Sequence, residues 1–304
     1  MNTEQGPTDG IGEPTVSGVV PMPRLMAVLN ASPESFSGGV VDPDGVVDAA
    51  RSHLAAGASI LDIGGQSLRT DQDELPVEVE AGRSVPLIRA CREAFGPHGP
   101  DISVDTYRAP VAEAAVAAGA TIVNDPSGLR DPDLLSVVAS TGVQVVVTYN
   151  LARPKVRLSA ADLAEDPVAD GVAVLGERID RLVAAGVETS RILVDPGPDL
   201  GKSPAQTVEV LRSLGAFRSF GCPLLLALSR KDVIGAVLSR PPGERAAGLD
   251  GILAAIDLGP EDVVRVHEPG VVRDFYVMRA VVSGAVDVPA DLELPVHLRH
   301  RRPG

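Results

Sequence analysis

The sequence predicts an α/β fold, a single (β/α)8 TIM barrel, on three observations. Short aliphatic runs alternate eight times with longer helical patterns, which implies βα units around a parallel sheet. Most runs end abruptly in polar side chains, as in Leu61-Asp62-Ile63-Gly64-Gly65, Ile102-Ser103-Val104-Asp105-Thr106, Ile122-Val123-Asn124-Asp125, Val194-Asp195-Pro196-Gly197, Leu228-Ser229-Arg230-Lys231 and Val264-Arg265-Val266-His267. Functional side chains at the C-terminal tips of successive buried strands are how such a barrel builds its active site. Finally, no Gly-rich dinucleotide turn follows the first run, as an open doubly wound sheet would usually require.

In chain order, strands are expected near 25–29, 58–63, 101–104, 121–124, 143–148, 191–195, 223–228 and 262–266. Helices are expected at 44–56, 77–95, 108–118, 131–140, 167–185, 204–219, 232–258 and 271–284, the seventh broken at Pro241-Pro242. Gly57, Gly119, Gly142 and Gly186 stand where helices should stop before the next strand. Residues 1–23 are rich in Gly, Pro and Thr without apolar periodicity and read as a disordered N-terminal tail. The barrel is assigned to 24–286 and a C-terminal tail to 287–304.

Composition fits one large core. Of 304 residues, 44% are hydrophobic but only 3% aromatic, with no Trp, so Val, Leu, Ile and Ala must fill it. Such residues suit the twice-buried strands of a parallel sheet. A net charge of −14 argues against a nucleic-acid surface, and the basic stretch Arg299-His300-Arg301-Arg302 is too short to reverse that. Cys91 and Cys222 offer neither a disulfide framework nor metal-ligand spacing and read as buried thiols in a reducing compartment. There is no run of the ~18 apolar residues a membrane span requires and no basic-then-apolar leader. A cytoplasmic protein with no membrane or nucleic-acid partner is expected.

Read in order, the strand tips resemble the dihydropteroate synthase family of pterin-binding proteins. The stretch Asn30-Ala31-Ser32-Pro33-Glu34-Ser35-Phe36 is similar to its first-strand signature. The match continues through Asp62 to Arg69, Ser103 to Arg108, Gly119 to Asp125, Asp195-Pro196-Gly197 with Gly201-Lys202, Ser229-Arg230-Lys231 and Arg265-Val266-His267, covering about residues 25–284. The resemblance implies a transferase in which 4-aminobenzoate displaces diphosphate from 6-hydroxymethyl-7,8-dihydropterin diphosphate, a step of folate biosynthesis. Residue chemistry agrees with it. A carboxylate accepts two parallel N–H donors from an aminopyrimidine edge, a task that fits Asp105 and Asp195. Asn124 can donate and accept, while Lys231 only donates and suits the pterin carbonyl or ring nitrogen.

The leaving diphosphate needs charge neutralisation, often with Mg²⁺. By resemblance Asn30 stands beside the metal and diphosphate, while Arg69, Arg265 and His267 form the anion-binding set. Lys231, Arg265 and His267 are thus the candidate catalytic groups. The Arg-x-His spacing puts Arg265 and His267 on one face of a strand. Taken singly, each strand-tip Asp reads equally well as a helix N-cap; at several tips of one barrel, a shared site is the better reading. Nothing indicates covalent catalysis, since no Gly-x-Ser-x-Gly elbow or His-Glu-x-x-His is present. Family members tend to form homodimers, with 204–219 and 271–284 as the surfaces considered.

Some positions depart from the family. Gln66-Ser67-Leu68-Arg69-Thr70 replaces Glu-Ser-Thr-Arg-Pro-Gly, so Leu68 removes a hydroxyl near the expected aminobenzoate carboxylate. Asp232 stands where Ser is frequent, and it is either a repelling charge or a helix-dipole acid. Pro198-Asp199-Leu200 replaces a Gly-aromatic pair, Thr148-Tyr149 replaces Met-His, and Ala227 replaces Gly. An active synthase is the first reading. A diverged paralogue that binds pterin with weak or no synthase activity, using another nucleophile or acting through a partner, is the alternative. A corrinoid methyltransferase is third, because such enzymes lack the Ser-Arg-Lys and Arg-x-His pair.

Overall fold

The structure, a computed structural model, describes residues 19–31, 42–67, 72–156, 158–295 and 298–299. Eight parallel strands alternate with helices throughout this span. In order they are β1 Arg24–Asn30, α1 Pro43–Ala55, β2 Ile60–Gly64, α2 Val77–Phe95, β3 Asp101–Asp105, α3 Ala109–Ala117, β4 Ile122–Asp125, α4 Pro132–Thr141, β5 Gln144–Thr148 and α5 Pro167–Ala184. There follow β6 Ile192–Asp195, α6 Pro204–Arg212, α7 Leu214–Phe217, β7 Leu225–Ala227, α8 Asp232–Leu238, α9 Ala246–Ala255, β8 Val263–Val266 and α10 Pro269–Val282.

Local chemistry sets the helix starts. Pro43, Pro132, Pro167 and Pro204 each open a helix just after an Asp or Ser whose side chain accepts a free backbone N–H, for example Asp42 Oδ1 from Gly45 N at 2.8 Å. Proline costs nothing at that position because its missing N–H would have had no helical partner. The four glycines read as helix stops all have positive φ, between 78° and 109°. The expected break at Pro241-Pro242 separates α8 from α9. The helix expected at 204–219 is instead two helices, because Ser213 leaves the helical region at φ −111°, ψ 23°.

The strands pair in the order β6-β5-β4-β3-β2-β1-β8-β7. Closure depends on a thin seam: a single parallel bridge joins Val194 to Leu224, with Val194 N donating to Pro223 O at 2.9 Å. Side chains alternate inward and outward along each strand. Met26, Ile60, Ile122, Val146, Leu193, Leu225 and Val263 point inward and form an apolar floor, none more than 3% exposed. Outward residues such as Leu61, Ile63, Val123, Val145 and Val194 pack beneath the helices. Fully burying such a side chain contributes about 1.5–3 kcal/mol, so floor and helical shell together fix the positions of the strand tips. Two residues beyond the floor, the same inward register reaches Asp62, Asn124, Asp195 and Arg265. Polar chemistry is thereby confined to the C-terminal mouth.

Residues 19–23 and 288–295 carry no helix or strand. The rest of both expected tails, residues 1–18, 296–297 and 300–304, lies outside the described residues. Cys91 and Cys222 are free and buried, as expected. Among the described residues no helix is long and apolar enough to cross a membrane.

Candidate active site

The mouth is organised around Arg265. Its Nε donates to Asp62 Oδ2 and its Nη2 to Asp105 Oδ2, each at 2.6 Å. Asp62 is 0% exposed and also lies 3.3–3.4 Å from Asn124 Nδ2. The network therefore ties β2, β3, β4 and β8 together across the barrel lumen. Burial pushes the Asp105 carboxyl upward, and Arg265 opposes that rise. The same carboxylates hold the Arg265 guanidinium firmly charged despite its burial. Asp105 is thus oriented by a cation, with its second oxygen left for a ligand.

Asp195 ends β6 and is 4% exposed. Its Oδ1 accepts Gly197 N at 2.8 Å, so one oxygen builds a turn while the other is free of that duty. The N-cap reading of Asp195 is thus half right, since its partner is a turn amide. Gly197 is obligatory there: φ is +65°, and an added Cβ would sit 2.0 Å from Tyr149 O. Lys202 clamps the turn, Nζ donating to Gly197 O at 2.8 Å, Leu200 O at 3.1 Å and Tyr149 O at 3.2 Å. Burial pulls the Lys202 ammonium down to about 7, but three carbonyl acceptors around one nitrogen require its charged, three-donor form.

Lys231 immediately precedes α8, without capping it through its side chain, and lines a cavity of about 720 Å³ with Asp199, Leu200 and Lys202. Burial lowers its pKa while Asp199 and Asp195 oppose that. Asp199 has a second task that the sequence did not reveal. Its Oδ2 accepts Val233 N at 3.2 Å and its Oδ1 accepts Thr207 Oγ1 at 3.1 Å. It therefore caps α8 from another loop and joins the β6 and β7 loops behind Lys231.

His267 follows β8, with Nδ1 3.0 Å from Ser229 Oγ. Burial, reinforced by Arg230, Arg265 and Lys231, pulls the ring down to about 3. His267 is thus a neutral hydrogen-bonding group at neutral pH, not a second cation, and any anion contact would come from an imidazole N–H. An unfolded imidazole titrates near 6.5. Between about 6.5 and 3 the unfolded chain binds a proton that the folded chain refuses, so stability is full above that window and falls as pH drops through it. Replacing His267 with Gln is expected to flatten this part of the stability profile. Urea midpoints at several pH values would show it, and a variant profile parallel to wild type would assign the acid loss to another group.

The structure brings Asp105, Asn124, Asp195, Lys231, Arg265 and His267 to one mouth. Asn30 ends β1 beside Gly64 and is partly buried. Its amide oxygen is a hard donor that suits Mg²⁺ when substrate phosphates complete the shell. Among the described residues no cluster of three His, Cys, Asp or Glu side chains could hold a metal by itself. Arg69 and Leu68 lie outside the described residues. Asp62, Lys202 and Asp199 emerge as site-building residues from the structure alone. For Asp62 a signal existed: it is a charged side chain on the inward register of an otherwise apolar strand.

The departures also find places. Thr148 faces inward and is 2% exposed, while Tyr149 turns outward and packs against Gly171, its hydroxyl donating to Asp170. Ala227 is in register with Arg265. Gln66 holds its loop, donating to Tyr107 Oη at 2.9 Å and accepting Leu75 N at 2.6 Å. Asp232 is the first residue of α8 and pairs with Arg245 at 3.0 Å. Of the other histidines, His53 is half-buried near the end of α1.

Comparison with known proteins agrees with this geometry. The family model described as pterin binding enzyme matches residues 26–267. A dihydropteroate synthase of Bacillus subtilis is 39% identical over 250 residues, covering 80% of this chain and 83% of that protein. A probable bifunctional folylpolyglutamate synthase/dihydropteroate synthase of Haloferax volcanii is 37% identical over 246 residues; the match takes in 80% of this chain but only 29% of that longer protein. The dihydropteroate synthase of Xanthomonas albilineans, solved in complex with 7,8-dihydropteroate, superposes with a TM-score of 0.73 at 34% identity, covering 86% of this chain and 94% of that one. A family model that matches residues 26–267, most of the barrel, together with relatives of this identity places this chain in the pterin binding enzyme family.

Proposed function

We propose that the chain is a dihydropteroate synthase, joining 4-aminobenzoate to 6-hydroxymethyl-7,8-dihydropterin diphosphate with release of diphosphate. The observation that carries this reading is the convergence of Asp105, Asn124, Asp195 and Lys231 around Arg265 at one end of the barrel. The carboxylates take the amino-pyrimidine edge, Asn124 takes a mixed donor–acceptor position, and Lys231 donates to the carbonyl or ring nitrogen. The amine lone pair forms a C–N bond to the exocyclic methylene carbon as its C–O bond breaks, the electrons leave with diphosphate, and the nitrogen then loses a proton. An arylamine is already nucleophilic, so orientation and charge stabilisation suffice.

Arg265 and His267, with Arg69, receive the departing anion. Mg²⁺, held through Asn30 and the diphosphate itself, would supply further charge neutralisation. The site of action is the cytoplasm. The chain acts as a homodimer through one of the two surfaces expected from the sequence: α6, whose apolar groove with α8 and α9 leaves Val237 and Leu238 69% and 48% exposed, or α10, where Met278 and Val282 are 58% and 81% exposed. Clustered exposed aliphatics of this kind mark association surfaces. A monomer by light scattering would refute that assignment.

The reading is tested with purified chain, dihydropterin diphosphate, Mg²⁺ and 4-aminobenzoate. Diphosphate release that depends on aminobenzoate supports it. Tight pterin binding without such release would make the chain a pterin-binding paralogue, the outcome to which Leu200 and Asp232 at the mouth point. Asp232→Ser bears on the same question. The Asp232 carboxylate is 88% exposed, so losing its pair with Arg245 should cost less than about 1 kcal/mol. Removing a negative charge from the mouth should lower KM for aminobenzoate. An unchanged KM would leave Asp232 only its place at the helix end.

A further inference from the structure

A second cleft, of about 660 Å³, lies on the flank where the β3, β4 and β5 loops meet α5, and nothing in the reaction above uses it. Arg108, Arg130, Arg153, Arg178 and Arg181 all line it, in a chain whose net charge is −14. Arg108 is neutralised by Glu74 at 2.5 Å and Glu80 at 3.0 Å. The other four are not. Arg178 and Arg181 share one carboxylate, Glu177, at 3.2 and 3.7 Å. Arg130 gives Nη2 to uncharged acceptors, Asn150 O at 2.9 Å and Leu151 O at 3.1 Å. Among the described residues, no carboxylate lies within ion-pair distance of Arg130 or Arg153. Arg178 Nε is buried with no hydrogen-bond partner there. Asp131, on the rim, is occupied by Asp133 N at 3.0 Å and Ala109 N at 2.9 Å.

Burial, and after it the charges of Arg178 and Arg153, disfavour the protonated form of Arg130. Four guanidinium groups set against the carboxylates of Glu177 and Asp131 leave an excess of positive charge that a multiply charged anion would relieve. Guanidinium forks match the paired oxygens of phosphate, and several forks from different elements suit adjacent phosphoryl groups better than a single one.

We propose that this cleft is a binding site for a small oligophosphate, held by Arg130, Arg153, Arg178 and Arg181 and separate from the barrel mouth. Arg153 and Pro154 line both cavities, and Arg130 grips the carbonyls where the β5 loop begins. An anion in the cleft therefore acts on a wall of the neighbouring cavity that Lys202 and Lys231 line.

The test is calorimetric titration of the full chain with inorganic triphosphate, inorganic diphosphate and ATP. The double variant Arg178→Gln/Arg181→Gln is expected to weaken triphosphate binding at least tenfold while leaving pterin binding and the melting temperature near wild type. His267→Gln, at the mouth, should leave the tenfold difference between the Arg178→Gln/Arg181→Gln variant and its parent unchanged. If the double variant misfolds, the single charge reversal Arg181→Glu replaces it, with the same expected loss. Diphosphate binding as tightly as ATP would identify the inorganic ion as the ligand; tighter binding of ATP would identify a nucleotide. Absence of triphosphate binding in wild type, equal affinity in the Arg178/Arg181 variants, or citrate binding as well as triphosphate would each overturn the assignment.

Discussion

Replacing Arg265 with Met should be among the most destabilising single changes in this barrel, with a cost of about 3–5 kcal/mol. The side chain pairs with two carboxylates, one of them, Asp62, fully removed from solvent. Methionine approximates the aliphatic stem, so packing loss is minor and the cost comes from leaving Asp62 and Asp105 uncompensated. That sum is a large part of the ~5–15 kcal/mol by which a domain is stable. The pH response identifies the cause. Without Arg265, burial and repulsion from Asp62 raise the folded-state pKa of Asp105 still further above its unfolded value. The folded variant then binds more protons than the unfolded chain through the mildly acidic range, so its stability rises as pH falls from about 7.5 to 5.5. Wild type, in which Arg265 opposes the rise of Asp105, should show a smaller gain. Urea unfolding at both pH values decides it: a loss under about 1 kcal/mol at the higher pH, or no recovery at the lower one, would mean that Asp62 and Asp105 do not depend on Arg265 for their charge.

Much of this was legible in the chain because the barrel writes its plan in local pattern. Runs such as Ile122-Val123-Asn124-Asp125 state both that a strand is buried and where it stops being so. Strand periodicity alone places Arg265 and His267 on one side. Contacts between distant residues left no such mark. The pair of Arg265 with Asp62 spans 203 positions, and no local rule says that this Asp holds a guanidinium rather than a substrate. Asp199 looked like a lost glycine. Only the packing of the β6 loop against α8 shows that its carboxylate replaces a cap that Lys231 cannot provide. Tyr149 stands at a strand tip in the chain pattern, yet the next inward position after Val146 is Thr148, and the ring is directed outward. The same limit explains the split between α6 and α7. The apolar pattern continues through Ser213, and the interruption is visible only in the backbone.

The largest functional effect should come from Asp195→Asn, a change that separates the two tasks of one carboxylate. The amide oxygen can still accept Gly197 N, so the left-handed turn and its Lys202 clamp remain intact. Folding should be nearly unaffected, since burial already disfavours the charged carboxyl. Pterin recognition should fail, because an amide cannot accept two parallel donors. Each hydrogen bond to a charged group is worth about 1.5–3 kcal/mol, so losing two should weaken pterin binding by on the order of a hundredfold or more. Asp195→Ala should lose the same affinity and also destabilise the fold by about 1–3 kcal/mol, because Gly197 N loses its buried partner. Pterin calorimetry and urea midpoints on both variants distinguish the roles. Binding within tenfold of wild type in Asp195→Asn would confine Asp195 to the turn and return the pterin edge to Asp105 and Asn124.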